Sequence, residues 1–244
     1  MTSSTSNAQE PKRNKPLLVV MTGAGISAES GIPTFRDKGG IWDEYDLMEV
    51  GTAQGWQQNP GKVLAFVNDV KMRFADAKSN LAHQLIAQLE EWYEVVIITQ
   101  NIDTLHEEAG STRVIHIHGQ VDKVRSTQAP YGVLDWPVDK ELQLGDLCEN
   151  GGQLRPHTVF FGEMVLDMDL AEEFAIQADI ALVIGTSLQV MPAAGLILSV
   201  PDETPKILID PEPSVSKEDL PLLEVFPMKA TEGMQHLFER LKPT

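Results

Sequence analysis

Two histidines separated by one residue, His116 and His118, carry side chains that could move a proton at neutral pH. If they lie in an extended strand, both side chains point to one face, and Gly119 leaves space beside His118. An imidazole near its unperturbed pKa can take a proton from a hydroxyl group. The pair could instead bind a metal ion, or either ring could be a hydrogen-bonded core group. The motif therefore leaves catalysis, metal binding and core packing open.

A glycine-rich turn follows the first apolar run of the chain, residues 17–21. Residues 23–28 read GAGISA, the pattern in which a tight turn brings backbone N–H groups and a helix N-terminus against a pyrophosphate. The same glycines could simply form a turn between a strand and a helix. A dehydrogenase would next need a second strand and an acidic residue about 20 positions further on, but residues 30–37 (SGIPTFRD) have the composition of a loop. Nucleotide binding remains open, whereas hydride transfer is disfavoured.

Polar side chains also follow a later apolar run, residues 95–99. Gln100, Asn101 and Asp103 come directly after it. Amide and carboxylate groups at the end of a parallel strand could bind sugar hydroxyls or a carboxamide. Asn101 or Asp103 could instead cap the helix that follows. Ligand binding and capping are both compatible with this segment.

Two further strand ends carry groups that suit a nucleotide. Residues 185–187 (GTS) follow the run 180–184 and could open a helix, holding a phosphate or acting as a helix cap. Asp210 ends the run 207–209, a position suited to ribose hydroxyls, although it could also be an exposed acidic strand end.

The chain supplies strands and helices that would position these groups. Short unbroken apolar runs are typical of strands buried on both faces, and they occupy residues 17–21, 95–99, 114–117, 180–184, 207–209 and, more weakly, 223–226. Helical stripes lie between them, one of them starting at Asn59-Pro60, where Asn59 is a candidate N-cap. This alternation predicts an α/β fold, a Rossmann-like parallel sheet with helices on both faces. The strand-end turns would then open at one edge, where a dinucleotide could contact several of them.

Two stretches, residues 31–55 and 120–162, interrupt the alternation. Both are rich in glycine, proline and charged residues, and neither contains a long apolar run. We expect the second to be a small inserted module with little core of its own.

Composition excludes several classes of protein. The chain has 244 residues with 36 Asp plus Glu against 19 Lys plus Arg, a formal net charge of -17, so a nucleic acid partner is disfavoured. Residues 1–16 are polar where a signal peptide needs an apolar segment, and no run approaches the roughly 18 apolar residues that span a bilayer. We expect a disordered tail over residues 1–16, no membrane partner and a cytoplasmic location. The single cysteine, Cys148, cannot form an intramolecular disulfide.

Five segments together resemble the sirtuins, the NAD-dependent protein lysine deacylases: TGAGISAESGIPTFRD, TQNIDTLHEEAG, HIHG, LRPHTVFFGE and GTSLQVMPAA. The resemblance runs from about residue 17 to 241. It implies a catalytic domain over residues 17–244, with a large nucleotide-binding lobe and small-lobe insertions at about 31–80 and 120–162. It also implies NAD as cofactor and acylated lysine as partner, with nicotinamide and O-acyl-ADP-ribose as products. We expect a monomer.

The resemblance also assigns roles to residues. His118, which directly precedes the glycine, would be the general base, and Asn101 would share the catalytic site. The implied cofactor site consists of Gly23, Ala24, Gly25, Ser27, Ala28, Phe35, Arg36, Gln100, Asn101, Ile102, Asp103, Gly185, Thr186, Ser187, Asp210 and Ala230. The implied substrate site consists of Val159, Phe161, Gly162, Glu163 and Val190, with residues 159–163 pairing with the peptide backbone.

The chain departs from the sirtuin pattern at the zinc site. Sirtuins usually carry two CxxC pairs, whose positions here hold Ser126, Ala129, Leu147 and Asn150, beside a displaced Cys148. We therefore expect no bound metal.

Without zinc, the module has to be stabilised by apolar and hydrogen-bonded contacts or else be flexible. Tyr131, Val133, Leu134 and Trp136 are the candidates for such contacts.

A second departure concerns the acyl group. Sirtuins that prefer succinyl or malonyl lysine carry a Tyr-x-x-Arg pair where this chain has Val67 and Val70. An apolar wall favours neutral acyl groups, because a buried carboxylate without a partner is costly. A mono-ADP-ribosyltransferase and a non-catalytic NAD-binding module remain the alternative functions.

Overall fold

A computed structural model describes residues 13–34, 40–216 and 218–243. Most of the predicted tail, together with Phe35 and Arg36, lies outside the described residues. Residues 13–16 are exposed, yet two of their side chains make hydrogen bonds. Arg13 donates to the carbonyl oxygen of Gln177 at 3.1 Å, and Lys15 donates to that of Glu90 at 2.7 Å.

The described residues form strands and helices in alternation over most of their length. The strands are β1 Leu17–Thr22, β2 Glu94–Thr99, β3 Val114–His116, β4 Gly119–Ser126, β5 Val133–Asp135, β6 Leu154–Thr158, β7 Ile180–Ile184, β8 Lys206–Ile209 and β9 Leu223–Phe226. The α-helices are α1 Ile41–Glu44, α2 Leu47–Val50, α3 Ala53–Gln58, α4 Pro60–Phe74, α5 Leu81–Gln88, α6 Leu105–Glu108, α7 Met168–Ile176, α8 Leu196–Ser199 and α9 Ala230–Leu241.

Six of these strands form one parallel sheet in the order β3-β2-β1-β7-β8-β9. Each apolar run predicted from the sequence lies in this sheet, so the predicted strands and the predicted α/β fold are confirmed. The connections bring the carboxyl ends of β1, β2, β7 and β8 to one edge, where the polar turns follow.

The apolar core lies on both faces of the sheet because successive side chains of a strand point to opposite faces. Every side chain of β1 is buried. Leu18 and Val20 pack with α5 and α9, whereas Leu17, Val19 and Met21 pack with α7 and α8. Helices on both faces therefore cover the central strands.

The second lobe combines α1 to α4 with a small antiparallel sheet. Helix α4 begins at Pro60, and the side chain of Asn59 accepts a hydrogen bond from the backbone N–H of Lys62 at 3.0 Å, as the predicted N-cap requires. Val63, Phe66, Val67 and Val70 lie on its buried face. The helix thereby presents an apolar wall to the rest of the lobe.

The antiparallel sheet has the order β5-β4-β6 within the described part of the chain. Its small core contains Leu64, Val124, Trp136, Leu142 and Leu154. Tyr131, Val133 and Leu134 are exposed, so the expectation that they stabilise this module is wrong for three of the four candidates. Strand β5 forms the edge of the sheet, and all of its side chains are exposed.

Three local predictions differ from the structure. Strand β3 ends at His116, and His118 lies in the following turn, so the two histidines do not share one strand face. The glycine turn leads into 3₁₀ turns at Ala24–Ile26 and Ala28–Ser30 and not into an α-helix. The GTS segment is likewise followed by loop, and α8 starts only at Leu196.

Along the ranges that the structure describes, the helices are all too short or too polar to cross a bilayer.

Candidate active site

A large cleft opens along the carboxyl edge of the parallel sheet and extends to the small lobe. Its volume is about 1180 Å³. The predicted site residues that line it are Gly23, Ala24, Gly25, Ala28, Gln100, Asn101, Ile102, His118, Val159, Phe161, Gly162, Glu163, Gly185, Thr186, Ser187, Val190, Asp210 and Ala230. Ser27 and Asp103 are fully or almost fully buried beneath this lining. Four strand-end turns therefore meet at one cleft, as the topology predicted.

Two glycine turns form the floor at the middle of the sheet. The backbone N–H of Gly25 donates to the carbonyl oxygen of Gly185 at 2.8 Å, and that of Gly23 donates to Ile184 at 3.1 Å. A Cβ atom on Gly25 would lie 2.6 Å from Cα of Gly185, and Gly185 has a φ of +63°. Glycine is required at both positions because the two main chains are in direct contact.

A buried polar network lies under the turn after β2. The amide nitrogen of Asn101 donates to the carbonyl oxygen of Gly23 at 3.1 Å and to Ser27 Oγ at 3.2 Å. Ser27 Oγ in turn donates to Asp103 Oδ2 at 2.9 Å. Because the nitrogen makes both of these bonds, the amide oxygen of Asn101 can still accept a hydrogen bond from a ligand.

Asp103 makes two hydrogen bonds inside the protein, one on each side of its carboxyl group. Its Oδ1 accepts a hydrogen bond from the backbone N–H of Leu105 at 3.1 Å, at the start of α6, and its Oδ2 holds Ser27. Burial raises the pKa of Asp103, although these hydrogen bonds and the nearby His116 act in the opposite direction. The carboxyl group thus fixes the main chain at the start of α6 and the floor of the cleft.

His118 lies at the junction between the large lobe and the small lobe. Its Nδ1 is 3.0 Å from the carbonyl oxygen of Gln100, and a carbonyl can only accept, so Nδ1 carries the proton. Nε2 then has a lone pair that can accept a proton. Burial lowers the pKa of His118, which keeps the ring neutral at neutral pH. The residue has the position and the charge state of a general base.

His116 has different surroundings from His118. Its ring is buried and does not line the cleft. Nε2 lies 2.7 Å from Glu107 Oε1, and Nδ1 lies 3.1 Å from the carbonyl oxygen of Asn101. The two histidines therefore bind the carbonyl oxygens of two consecutive residues, Gln100 and Asn101. Only His118 lines the cleft.

Sequence reasoning missed a second buried network behind this floor. His106 Nε2 lies 3.0 Å from Thr22 Oγ1, which donates to Thr99 Oγ1 at 2.8 Å. Thr99 Oγ1 accepts from the backbone N–H of Asn101 at 3.0 Å, and the ring of His83 packs against that of His106. The sequence signal for this network was the threonine that ends each of two buried strands, Thr22 in β1 and Thr99 in β2.

The small-lobe wall of the cleft was also only partly predicted. Val67 and Val70 line the cleft as expected from their place on α4, and Phe66 and Trp42 lie beside them. The rings of Trp42 and Phe66 stack with centroids 5.8 Å apart. Phe66 lies on the same apolar face of α4 as the two valines. This periodicity in the sequence could have identified Phe66 as part of the wall. The wall is therefore apolar and aromatic at this place.

The predicted substrate strand is fixed at both ends. The backbone N–H of Val159 donates to the carbonyl oxygen of His118 at 2.9 Å, and that of Phe161 donates to Gly51 at 2.8 Å. The carbonyl oxygen of Phe161 accepts from Ala53 at 3.1 Å. Both backbone groups of Phe161 are therefore already paired within the protein. Gly162, the next residue, lines the cleft.

Glu163 anchors this segment to the antiparallel sheet. Arg155 donates to both of its carboxylate oxygens, at 2.5 and 3.1 Å, and Arg125 donates to Oε2 at 3.0 Å. Glu163 Oε2 also accepts from the backbone N–H of Phe160 at 2.9 Å, and the Arg155 guanidinium lies 4.2 Å from the Phe160 ring centroid. Burial acts to raise the pKa of Glu163, but the hydrogen bonds from Arg155 and from the Phe160 N–H, together with the charges of Arg155 and Arg125, outweigh it and lower the pKa. The carboxylate is therefore ionised and accepts hydrogen bonds from two arginines and one backbone N–H.

A hydrogen-bonded cluster stands where the aligned zinc positions meet. Cys148 Sγ lies 3.0 Å from Ser126 Oγ and 3.0 Å from the carbonyl oxygen of Gly152, and it also contacts Asn150. Its single proton can be donated to one of these acceptors at a time. In the ranges 13–34, 40–216 and 218–243, no three His, Cys, Asp or Glu side chains are grouped in a way that could hold a metal ion. Polar contacts between small side chains thus connect the strand β4 to the loop before β6.

Glycine turns and polar residues at the carboxyl edge of a parallel sheet, facing a second lobe, define a dinucleotide-binding α/β protein. The profile of the Sir2 family matches residues 23–192, and the chain belongs to that family. The predicted resemblance to the sirtuins is therefore confirmed.

Curated relatives and solved structures agree with this assignment. An NAD-dependent protein deacylase of Bacteroides thetaiotaomicron is 44% identical over 230 residues, which cover 93% of this chain and 98% of the relative. One from Helicobacter pylori is 48% identical over 195 residues, 80% of this chain and 82% of the relative. A Sir2 homologue in complex with NAD has a TM-score of 0.82 at 37% identity, covering 93% of this chain and 90% of its own.

A further solved structure is a substituted Sir2 protein with a deacetylated p53 peptide and 3'-O-acetyl ADP ribose. It has a TM-score of 0.79 at 31% identity, with 93% of this chain and 94% of that chain covered.

The residues present fit NAD. A cleft of about 1180 Å³ exceeds the size of a pocket for a drug-like molecule, and a dinucleotide needs such a volume. Close contact between the glycine turns leaves a floor without side chains, which a pyrophosphate can approach. Asn101, held from below by Ser27 and Asp103, and Asp210 contribute polar groups to the lining of the cleft.

Proposed function

We infer that this protein is an enzyme, an NAD-dependent protein lysine deacylase. The observation that carries the proposal is His118, a neutral buried imidazole that lines the cleft where the strand-end turns meet the small lobe. When bound, NAD supplies the group that takes the acyl chain from lysine, and the products are nicotinamide and O-acyl-ADP-ribose. A deacylase needs a base beside the cofactor site and an opening for a peptide, and both lie on this cleft.

Each part of the cleft has a separate role in this proposal. The turn at Ala24 and Gly25 contacts the pyrophosphate through its backbone, although the Gly25 N–H is itself paired with Gly185. Thr186, Ser187 and Asp210 bind the adenosine half. Gln100, Asn101, Ile102 and Asp103 hold the nicotinamide half, with the backbone of the turn fixed from below by Ser27 and Thr99. A preorganised polar site of this kind lowers the barrier to charge development without reorganisation during the reaction.

His118 is proposed to accept the proton of a hydroxyl group at Nε2. The bond from Nδ1 to the carbonyl of Gln100 fixes both the tautomer and the ring orientation. A positioned general base of this type contributes roughly 10²- to 10⁴-fold to rate.

The acyl group is proposed to be neutral, as in acetyl-lysine or a longer fatty acyl-lysine. Val67, Val70 and Phe66 line the cleft on the small-lobe side. A carboxylate placed against these side chains would lose its hydration without gaining a charged partner.

We further propose that the enzyme needs no zinc and works as a monomer in the cytoplasm, without nucleic acid. The cluster around Cys148 and Ser126 supports zinc independence, because hydrogen-bonded contacts connect this region. The four aligned metal positions hold Ser126, Ala129, Leu147 and Asn150, none of them a cysteine. The net charge of -17 supports the absence of a nucleic acid partner. The proposed division is a tail over residues 1–16 and a catalytic domain over 17–244, with insertions at 31–80 and 120–162.

Mass spectrometry of the products tests the function directly. Protein, NAD and an acetyl-lysine peptide should yield nicotinamide, free lysine peptide and O-acetyl-ADP-ribose. His118→Ala should reduce the yield by about 100-fold or more while calorimetry shows NAD binding largely retained. His236→Ala is the matched control, because His236 is exposed on α9 and should leave turnover unchanged.

The alternative functions give different products in the same assay. ADP-ribose attached to protein would indicate a mono-ADP-ribosyltransferase, and unchanged NAD would indicate a non-catalytic binding module. Either result with the wild-type protein would refute deacylation.

A further inference from the structure

His116 is the residue of the HIHG motif to which the proposed reaction assigns no role. It is buried, at 8% exposure, on the last position of β3. Its Nδ1 is 3.1 Å from the carbonyl oxygen of Asn101, and its Nε2 is 2.7 Å from Glu107 Oε1. The ring thus connects a helix carboxylate to the main chain of the residue whose amide faces the cofactor site.

The two partners of His116 determine its charge state. A carbonyl oxygen and an ionised carboxylate can only accept hydrogen bonds, so both bonds require an N–H on the ring. An imidazole with a proton on both nitrogens is the imidazolium cation. Burial acts to lower the pKa of His116, but the hydrogen bond and charge of Glu107 outweigh it, and the pKa lies above its ordinary value.

We propose that His116 is a positioning residue whose protonated ring, held by Glu107, fixes the main chain of Asn101, so that the enzyme is active only while this imidazolium keeps both protons. The proposal rests on the proposed deacylase function. It assigns different charge states to the two histidines of the motif. His118 acts as the neutral base, and His116 acts as the buried cation that holds the neighbouring carbonyl.

If His116 lost one proton, its hydrogen bond to the carbonyl oxygen of Asn101 would break, whereas its bond to Glu107 would remain. A carboxylate is the stronger acceptor, so the remaining N–H stays at Nε2 toward Glu107. The lone pair of Nδ1 would then face the carbonyl oxygen of Asn101, and two acceptors repel each other. The turn that carries Gln100 and Asn101 would lose one of its fixed points.

Several charged or titratable groups surround His116. Glu107 and His106 lie on α6, and Asp103 lies in the turn before α6. Asp103 and Glu107 favour the charged ring, whereas repulsion contributes to the lowered pKa of the fully buried His106. Lys123 on β4 acts on Glu107, whose pKa is lowered chiefly by its bond to His116, against the effect of burial.

The sign of the pH effect follows from these shifts. The active form of His116 is protonated and its pKa is raised, so activity is complete below that pKa and falls as the pH rises through it. The active form of His118 is deprotonated and its pKa is lowered, so it limits activity on the acid side. The alkaline limb of the kcat profile is therefore assigned to His116.

The test compares kcat and KM for NAD across pH in the full-length wild type, His116→Gln and Glu107→Gln. In His116→Gln the alkaline limb should disappear, and kcat should fall roughly tenfold with a smaller change in KM. In Glu107→Gln the limb should move to lower pH by about one unit or more, because the cation loses its counter-ion. Glu108→Gln, the next residue on α6 and exposed, is the matched control and should leave the profile unchanged.

A proton NMR titration gives a readout that a purely structural role would not produce. The His116 signal, identified by its absence in His116→Gln, should keep its protonated shift above pH 6.5, the ordinary pKa of a histidine. A ring that titrates at or below pH 6.5, or an alkaline limb that persists in His116→Gln at the wild-type pH, would overturn the proposal. Absence of nicotinamide release by the wild type at every pH would instead refute the proposed function, and this inference with it.

Discussion

At the scale of single residues, the side chains at the floor of the cleft hold one another before any ligand arrives. Asn101 is bonded from its side chain to Ser27, from its N–H to Thr99 and from its carbonyl to His116. Asp103 completes this arrangement through Ser27. Preorganisation of this kind is expected of a site that has to stabilise developing charge.

The preference for a neutral acyl group is proposed to depend on two residues of α4. The double substitution Val67→Tyr with Val70→Arg should give turnover of succinyl-lysine peptide at least about tenfold above wild type, because a charged partner for the buried carboxylate contributes a strong hydrogen bond. The measurement is kcat/KM for succinyl and acetyl versions of one peptide. Val70→Leu is the control, since it keeps an apolar wall and should retain the preference for acetyl. Wild-type protein that turned over succinyl peptide faster than acetyl peptide would contradict the neutral acyl assignment.

At the scale of structural elements, the segment 158–163 depends on the antiparallel sheet for its position. Arg155 donates to the carbonyl oxygen of Thr158 at 3.3 Å, and Glu163 accepts the N–H of Phe160 at 2.9 Å. Both ends of the segment are therefore fixed through one ion-paired group. The small module acts on the substrate side of the cleft through this connection.

Glu163→Gln should weaken peptide binding more than NAD binding. The substitution removes the anion that two partly buried arginines share, and breaking such a pair costs roughly 3 kcal/mol. Steady-state kinetics should show a higher KM for the peptide at nearly unchanged KM for NAD, and urea unfolding should show the loss of stability. Glu239→Gln, which breaks the exposed pair with Lys242, is the control and should cost less than about 1 kcal/mol. Equal increases in both KM values would argue against a specific role for this group.

The sequence predicted the strands that follow from local runs of apolar residues. It did not predict features that depend on contacts between residues distant in the chain. Short apolar runs such as residues 17–21 and 180–184 are typical of buried strands. Parallel strands place their following turns at one edge, so most candidate site residues line one cleft. The different environments of His116 and His118 were not predictable, because they follow from the end of β3 after His116. Pairing of Phe161 with Gly51 also required the tertiary structure, since the two residues are distant in sequence.

At the scale of the whole molecule, stability is proposed to come without a metal ion. EDTA should leave both the melting temperature and the deacylase activity unchanged, because one cysteine cannot replace four and the aligned positions hold Ser126, Ala129, Leu147 and Asn150. Metal analysis of the purified protein by mass spectrometry is the accompanying measurement. Release of one equivalent of metal together with a sharp loss of activity would contradict this prediction.

Acid should destabilise the fold through buried histidines. Burial lowers the pKa of His83 to about 4 and that of His106 well below its ordinary value, so both are neutral in the folded protein. The unfolded chain binds these protons below about pH 6.5, and stability is therefore full above that pH and falls as the pH decreases toward 4. His83 alone should account for roughly 3 kcal/mol over this range.

Urea unfolding at pH 7 and pH 5 measures this loss. His83→Gln should lower stability at pH 7 yet reduce its dependence on pH, whereas the exposed His236→Gln should leave that dependence unchanged. The same pH dependence in His83→Gln as in the wild type would show that other groups control acid unfolding.

The contact between the turns at Gly25 and Gly185 limits how this sheet can be recombined. The main chains touch with no side chain between them, although 160 positions separate them in the printed sequence. A hybrid protein assembled from two relatives, with a crossover point anywhere between these glycines, joins surfaces that were shaped in different parents. We therefore expect hybrids to fold with an intact floor when both turns come from the same parent.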